Sequence, residues 1–123
     1  MSKRVLDVGQ CGPDHSTIRH YLTTNFDCEV VQTHGADDTL QLLRAGRYDL
    51  VLINRKLDQD YSDGVEIIRA IKADETTRNV PVMLVTNYPE HQEVAIAAGA
   101  IRGFGKLEFG RPDTKEKLAA ILE

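Results

Sequence analysis

The chain has no tryptophan and only two cysteines, Cys11 and Cys28. No apolar run approaches the ~18 residues of a membrane-spanning helix. Its four prolines and nine glycines are scattered, and no linker or low-complexity tract divides the sequence. Each absence excludes a class. Two cysteines are too few for a disulfide framework, and a bridge between them is not expected in a reducing compartment. The N-terminal MSKRVLDV enters a strand pattern directly, without the apolar core of a signal peptide. The expected address is therefore the cytoplasm. Base is in deficit as well: 15 Lys and Arg stand against 19 Asp and Glu, for a net charge of −4. That argues against nucleic-acid or membrane partners, whose phosphates require clustered Lys and Arg.

What is there reads as one domain over residues 1–123. Short β-branched runs alternate with longer periodic ones. Strands are predicted at Arg4–Val8, Cys28–Thr33, Asp49–Asn54, Pro81–Thr86 and, more weakly, Ile101–Gly105. Between them Ile18, Tyr21 and Leu22 lie on one helical face. Leu40, Leu42 and Leu43 suggest a helix over residues 37–45 that ends at Gly46. Val65, Ile68 and Ile71 mark a third helix, and Val94, Ala97 and Ala98 a fourth, ended by Gly99. Pro112 opens the last, which carries Leu118, Ile121 and Leu122. Strict alternation implies a parallel sheet with helices on both faces. Runs such as LVLI and VMLV suit strands covered on both sides. Such sheets bind ligands where the C-terminal ends of the strands meet a reversal of strand order. Function is then to be sought at Gly9 and Gln10, Asn54, Thr86 and Lys106.

Those positions, in this order, resemble the receiver domain of two-component response regulators over essentially the whole chain. The resemblance implies a (βα)5 flavodoxin-like three-layer fold with sheet order 2-1-3-4-5. It rests on Thr86 and Lys106, on Gly99-Ala100 upstream of the lysine, and on DLVLI followed by Asp63-Gly64. In that family an aspartate ending the third strand takes a phosphoryl group from a histidine kinase. An acidic pair ending the first strand holds Mg²⁺ with it. A Thr or Ser and a Lys contact the phosphoryl oxygens, and an aromatic residue shortly before that Lys reports the switch.

The departures fall on the chemistry. Gly9 and Gln10 replace the acidic pair, and Asn54 replaces the acceptor. Gly103 stands at the aromatic position, with Phe104 next to it. Leu107 stands where a proline is usual, and the loop RKLDQDYSD is longer than the family's. A carboxamide cannot form an acyl phosphate. Mg²⁺ wants hard, preferably charged oxygens. The expectation is a non-catalytic pseudo-receiver, without metal or cofactor, acting as a phosphorylation-independent protein–protein interaction module. By resemblance, its partner or homodimer face is the fourth helix, fifth strand and fifth helix, with Glu90, Glu93, Arg102, Phe104 and Lys115 as candidates. With no output domain after Glu123, the signal is expected to leave through a partner.

Asn54 reads in two ways, as a turn-capping residue at a strand end or as part of a locked network. Lys106 needs a new partner: the Asn54 or Gln10 carbonyl, a more distant Asp, or an external anion or carboxylate. Asp7, inside the first strand, is costly unless paired, with Lys106 or an arginine as the expected partner. Two alternatives remain: an unconventional phosphoacceptor at Asp58 or Asp60, and a small-ligand or flavin-binding module. CGPDH is a poor phosphate loop for the latter. Cys11, His15, His20 and His91 match no zinc spacing. Asp58, Asp60 and Asp63 resemble the start of a calcium loop but lack its later glutamate. Ser16 beside His15 and His20 makes no triad.

Overall fold

The computed structural model describes residues 2–123. Five strands, β1 (Lys3–Val8), β2 (Cys28–Thr33), β3 (Leu50–Asn54), β4 (Val82–Val85) and β5 (Ile101–Phe104), alternate with five helices. The helices are α1 (Gly12–Asn25), α2 (Ala36–Ala45), α3 (Gly64–Ala73), α4 (Pro89–Ala97) and α5 (Pro112–Leu122). The strands form one parallel sheet in the order β2-β1-β3-β4-β5. This is the (βα)5 flavodoxin-like arrangement.

The central strand shows why the pattern gives this fold. Leu50, Val51, Leu52 and Ile53 are all fully buried, because β3 is covered on both faces. Val51 and Ile53 join Ile67, Ile68, Ile71 and Ala95 on the α2–α3–α4 side. Leu50 and Leu52 join Ile18, Leu22, Phe104, Leu118 and Leu122 on the α1–α5 side. Fully burying each such side chain contributes roughly 1.5–3 kcal/mol. At the reversal of strand order, β1 is flanked by β2 and β3, so the ends of β1 and β3 open side by side.

Helix ends follow their sequence signals. Asp63 caps α3 by accepting from the Val65 amide at 3.0 Å. Proline opens α4 and α5, and Gly46 follows α2. The fourth helix begins earlier than its small-residue stretch suggested, at Pro89, where a missing N–H costs nothing.

Candidate functional site

The β3–α3 loop decides what the site contains. Residues 55–63 fold back on themselves through Leu57 N–H donating to Ser62 O and Tyr61 N–H donating to Leu57 O. Tyr61 turns the chain in the left-handed region, at φ 57°. The fold presses Leu57 into the core against the end of β1. Gly9, at φ +76°, lies directly beneath it, and a Cβ there would stand 2.4 Å from Leu57 Cδ2. The place of the first acidic residue is thus closed by backbone conformation and by a leucine from the longer loop.

Asn54, half-buried, is spent on that same loop. Its Nδ2 donates to Lys56 O at 2.7 Å and reaches Gly9 O at 3.4 Å, while the Asp58 amide also donates to Gly9 O at 3.0 Å. Asn54 therefore caps the turn and ties the ends of β1 and β3 together, combining both sequence readings. Gln10 is fully buried, and neither atom of its side-chain amide has a partner.

Lys106 has found its aspartate in the first turn of α1. Its Nζ lies 2.7 Å from Asp14 Oδ2, and the lysine holds that carboxyl below the usual carboxylate range. The Asn54 and Gln10 carbonyls are not its partners. Asp7 also departs from expectation. It is buried and paired, but with His15 Nδ1 at 2.7 Å rather than with Lys106 or an arginine. The reason is local: Asp7 faces α1, whose first turn carries His15 within reach. Burial pushes Asp7 up to about 6, opposed first by His15 and then by the Lys106 charge. One of its oxygens, Oδ1, has no partner.

Thr86 is buried and turned toward α4. Its Oγ1 accepts from the Tyr88 amide at 3.3 Å and meets His91 Nδ1 at 3.4 Å. Beyond it lies a residue that sequence reading missed. The β4–β5 ladder is irregular between Met83 and Val85, and there the Gln92 side chain serves as the missing rung. Its Nε2 donates to Leu84 O at 2.9 Å and reaches Thr86 O at 3.3 Å, and its Oε1 accepts from Gly103 N–H at 2.9 Å. Gly103 permits this insertion, because a Cβ there would stand 2.4 Å from Leu84 O. The sequence offers no signal for it, because Gln92 sits between His91 and Glu93 and only the packed structure buries it.

Phe104 requires a correction as a partner-face candidate. It is 1% exposed and packs against Phe109 on the α1–α5 side of the sheet, because strand alternation turns it inward next to Gly103. Glu90, Glu93, Arg102 and Lys115 are exposed, and Glu93 pairs with Arg102. Asp58 lies 3.2 Å from His34 Nδ1, and Asp60 accepts from the Ser62 amide and hydroxyl. Neither lines the cleft formed by Asn54, Thr86 and Lys106.

A family model described as response regulator receiver domain matches residues 13–107. The chain belongs to that family. Chemotaxis protein CheY of Pseudomonas aeruginosa is 29% identical over 115 residues, spanning 89% of this chain and 91% of its own. A putative response regulator from Chloroflexus aurantiacus superposes with a TM-score of 0.84 at 16% identity, covering 98% of both chains. The receiver domain of sensor histidine kinase PA1611 from P. aeruginosa, described with a magnesium ion coordinated in its active-site cleft, gives a TM-score of 0.75 at 22% identity, covering 98% and 94%. This protein is thus a receiver domain of two-component signalling, a class of signalling modules that act on protein partners.

The donor set at the ends of β1 and β3 does not suit the family's magnesium ion. Gly9 offers no side chain, and its carbonyl already accepts from Asp58 and Asn54. Gln10 and Asn54 bring only neutral amides, and the nearby Asp14 is neutralised by Lys106. Among the described residues, no helix is long and apolar enough to cross a membrane.

Proposed function

We propose that this receiver has lost phosphotransfer and works as a phosphorylation-independent protein–protein interaction module. The observation that carries the reading is the occupied acceptor end of β3, where an asparagine amide is committed to the Lys56 and Gly9 carbonyls. A neutral amide in that position has neither the charge nor the nucleophilic oxygen for an acyl phosphate. The Gln92 rung supports the same reading. By the resemblance, an aromatic residue at the Gly103 position would report the switch. Here Gly103 and the end of β4 are tied to α4 by three hydrogen bonds that involve no ligand.

The partner face we assign is α4, β5 and α5, for a protein partner or a second copy. Val94 and Ile101 expose apolar surface there beside the Glu93–Arg102 pair. Asp58 and Asp60 do not supply a substitute acceptor on this reading, because both carboxylates are engaged outside the cleft.

Acetyl phosphate with Mg²⁺, followed by intact-mass spectrometry, tests the loss of phosphotransfer. The expected result is unchanged mass; a stoichiometric, base-labile gain of one phosphoryl group overturns the reading. Simple restoration of Asp at Gly9, Gln10 and Asn54 is a poor complementary test, because Gly9 has no room for a side chain. Gln10→Asp with Asn54→Asp and Leu57→Ala is the better variant, and it is expected to gain Mg²⁺ affinity that the natural protein lacks.

A further inference from the structure

A cleft of about 500 Å³ lies at the N-terminal ends of β3 and β4, the opposite end of the sheet from Asn54. Its apolar walls are Leu43 from α2, Tyr48 before β3, Val80 and Pro81 before β4, and Ile121 from α5. Arg4 fixes Tyr48 in that wall: its guanidinium lies 4.3 Å from the ring centroid, and its Nη2 donates to the hydroxyl at 3.0 Å. Among these walls stand Arg47, Asp49 and Asn79. The Asp49 carboxylate is oriented by the Arg4 amide, which donates to its Oδ2 at 2.9 Å. Its Oδ1 stands 3.8 Å from Arg47 Nε, too far for a hydrogen bond. Among the described residues, the side chains of Arg47 and Asn79 donate no hydrogen bond. By contrast, the Thr76 and Thr77 hydroxyls beside them are spent on Asp74 and on Ile71 O. The cleft therefore offers an unspent carboxylate oxygen, a guanidinium fork and a carboxamide, all against apolar walls.

We propose that this cleft binds a guanine base, carried by a nucleoside or a nucleotide, with Asp49 accepting from the base and Arg47 donating to it. Charge narrows the choice first. Arg47 and Asp49 offset each other, and the neighbouring Arg44 and Asp74 pair together, so neither a bare anion nor a bare cation finds a matching field. Shape comes next. Apolar walls around a few polar groups suit a ligand that is apolar over its faces and polar along its edge, which describes a planar heterocycle. The hydrogen-bonding pattern then selects the base. An acceptor standing beside a donor requires a donor beside an acceptor on the ligand. Guanine presents N1–H and N2–H₂, which a carboxylate can accept in parallel, next to O6 and N7, which fit an arginine fork. Adenine offers one amino donor on that edge and leaves the carboxylate half used. The volume falls within the ~300–1,000 Å³ typical of small-molecule sites. The inference is independent of the loss of phosphotransfer, since this cleft shares no lining residue with the one at Asn54.

The test is titration of the purified protein with guanosine, with guanosine 5′-monophosphate and with adenosine, read by amide chemical shifts and by thermal unfolding. The expected result is saturable binding of guanosine, with a rise in Tm and with shifts confined to the ends of α2 and α5 and to the segments before β3 and β4. Adenosine should bind at least about fivefold more weakly, because it leaves a buried acceptor half satisfied. Asp49→Asn keeps an acceptor for the Arg4 amide but loses the charge, and it should weaken guanosine about tenfold. Arg47→Gln should weaken it about fivefold, and at a side chain 89% exposed it leaves the fold intact, so it decides the matter even where Asp49→Asn is unstable. Saturation by either guanine ligand supports the site, and the tighter of the two identifies nucleoside or nucleotide as its source. No saturable effect of either, equal affinity for adenosine, or binding unaltered in Arg47→Gln overturns the proposal.

Discussion

Replacing Gln92 by methionine should show how firmly α4 is held to the sheet. Methionine has nearly the shape of glutamine but neither its donor nor its acceptor. The substitution leaves Gly103 N–H and Leu84 O without the Gln92 amide that now joins them. A buried polar group left without a partner costs about 1–3 kcal/mol, so the two together set a ceiling of ~6 kcal/mol. A groove of about 410 Å³, lined by Gln92, Gly103 and Lys117, lies alongside and can admit water. Water in that groove would satisfy part of the loss, which brings the expected cost to ~2–4 kcal/mol. For a domain of this size that corresponds to a fall in Tm of roughly 10 °C. Urea unfolding measures the global effect, and hydrogen exchange at the Gly103 amide measures the local one. Gln92→Glu keeps an acceptor for Gly103 but sets a charged acceptor against Leu84 O, so it should be no better than methionine. A methionine variant within about 0.5 kcal/mol of the natural protein, with Gly103 still protected, would refute the rung.

Further outcomes follow from the same contacts. Asp7 is pushed up to about 6 by burial, so the folded state holds a proton that the unfolded chain releases near the ordinary value of 3.8. Its contribution is full below that value and is lost as pH rises through about 6, at a cost on the order of 3 kcal/mol. Asp7→Asn should flatten the stability profile across that window in denaturation at several pH values; an unchanged slope would assign the dependence elsewhere. On the acid side, Thr76 and Arg44 hold Asp74 down to about 2, so stability should fall again as pH drops from the ordinary carboxylate value toward that point. Phe104→Ala should cost ~3–5 kcal/mol by opening a cavity. Loss of partner capture in that variant would therefore report unfolding. Arg102→Glu and Ile101→Glu are the informative face variants in co-sedimentation or pull-down, and undiminished association in both would move the interface elsewhere. Asp14→Asn should change stability by under about 1 kcal/mol, because both members of the Lys106 pair are partly solvated.

Much of this protein was determined by its sequence alone. Alternation of apolar strands with periodic helices was enough for the parallel sheet, because LVLI and VMLV can be satisfied only by cover on both faces. The missing carboxylates at Gly9, Gln10 and Asn54 were equally legible, since they are absences of atoms that no fold can restore. The tertiary structure decided which groups took their places. Leu57 closes over Gly9 because a longer loop folds back on itself, and sequence length alone does not say where a loop points. Lys106 meets Asp14 and Asp7 meets His15 because the first turn of α1 swings over the ends of β1 and β5, contacts between residues far apart in the chain or on different elements. Phe104 and Gly103 are neighbours in sequence, yet strand alternation buries one and lets the other admit Gln92 into the ladder. Composition and periodicity carry the sum of many weak burial terms. A single side chain filling a missing rung depends on distances of a few tenths of an ångström, which only the packed chain sets.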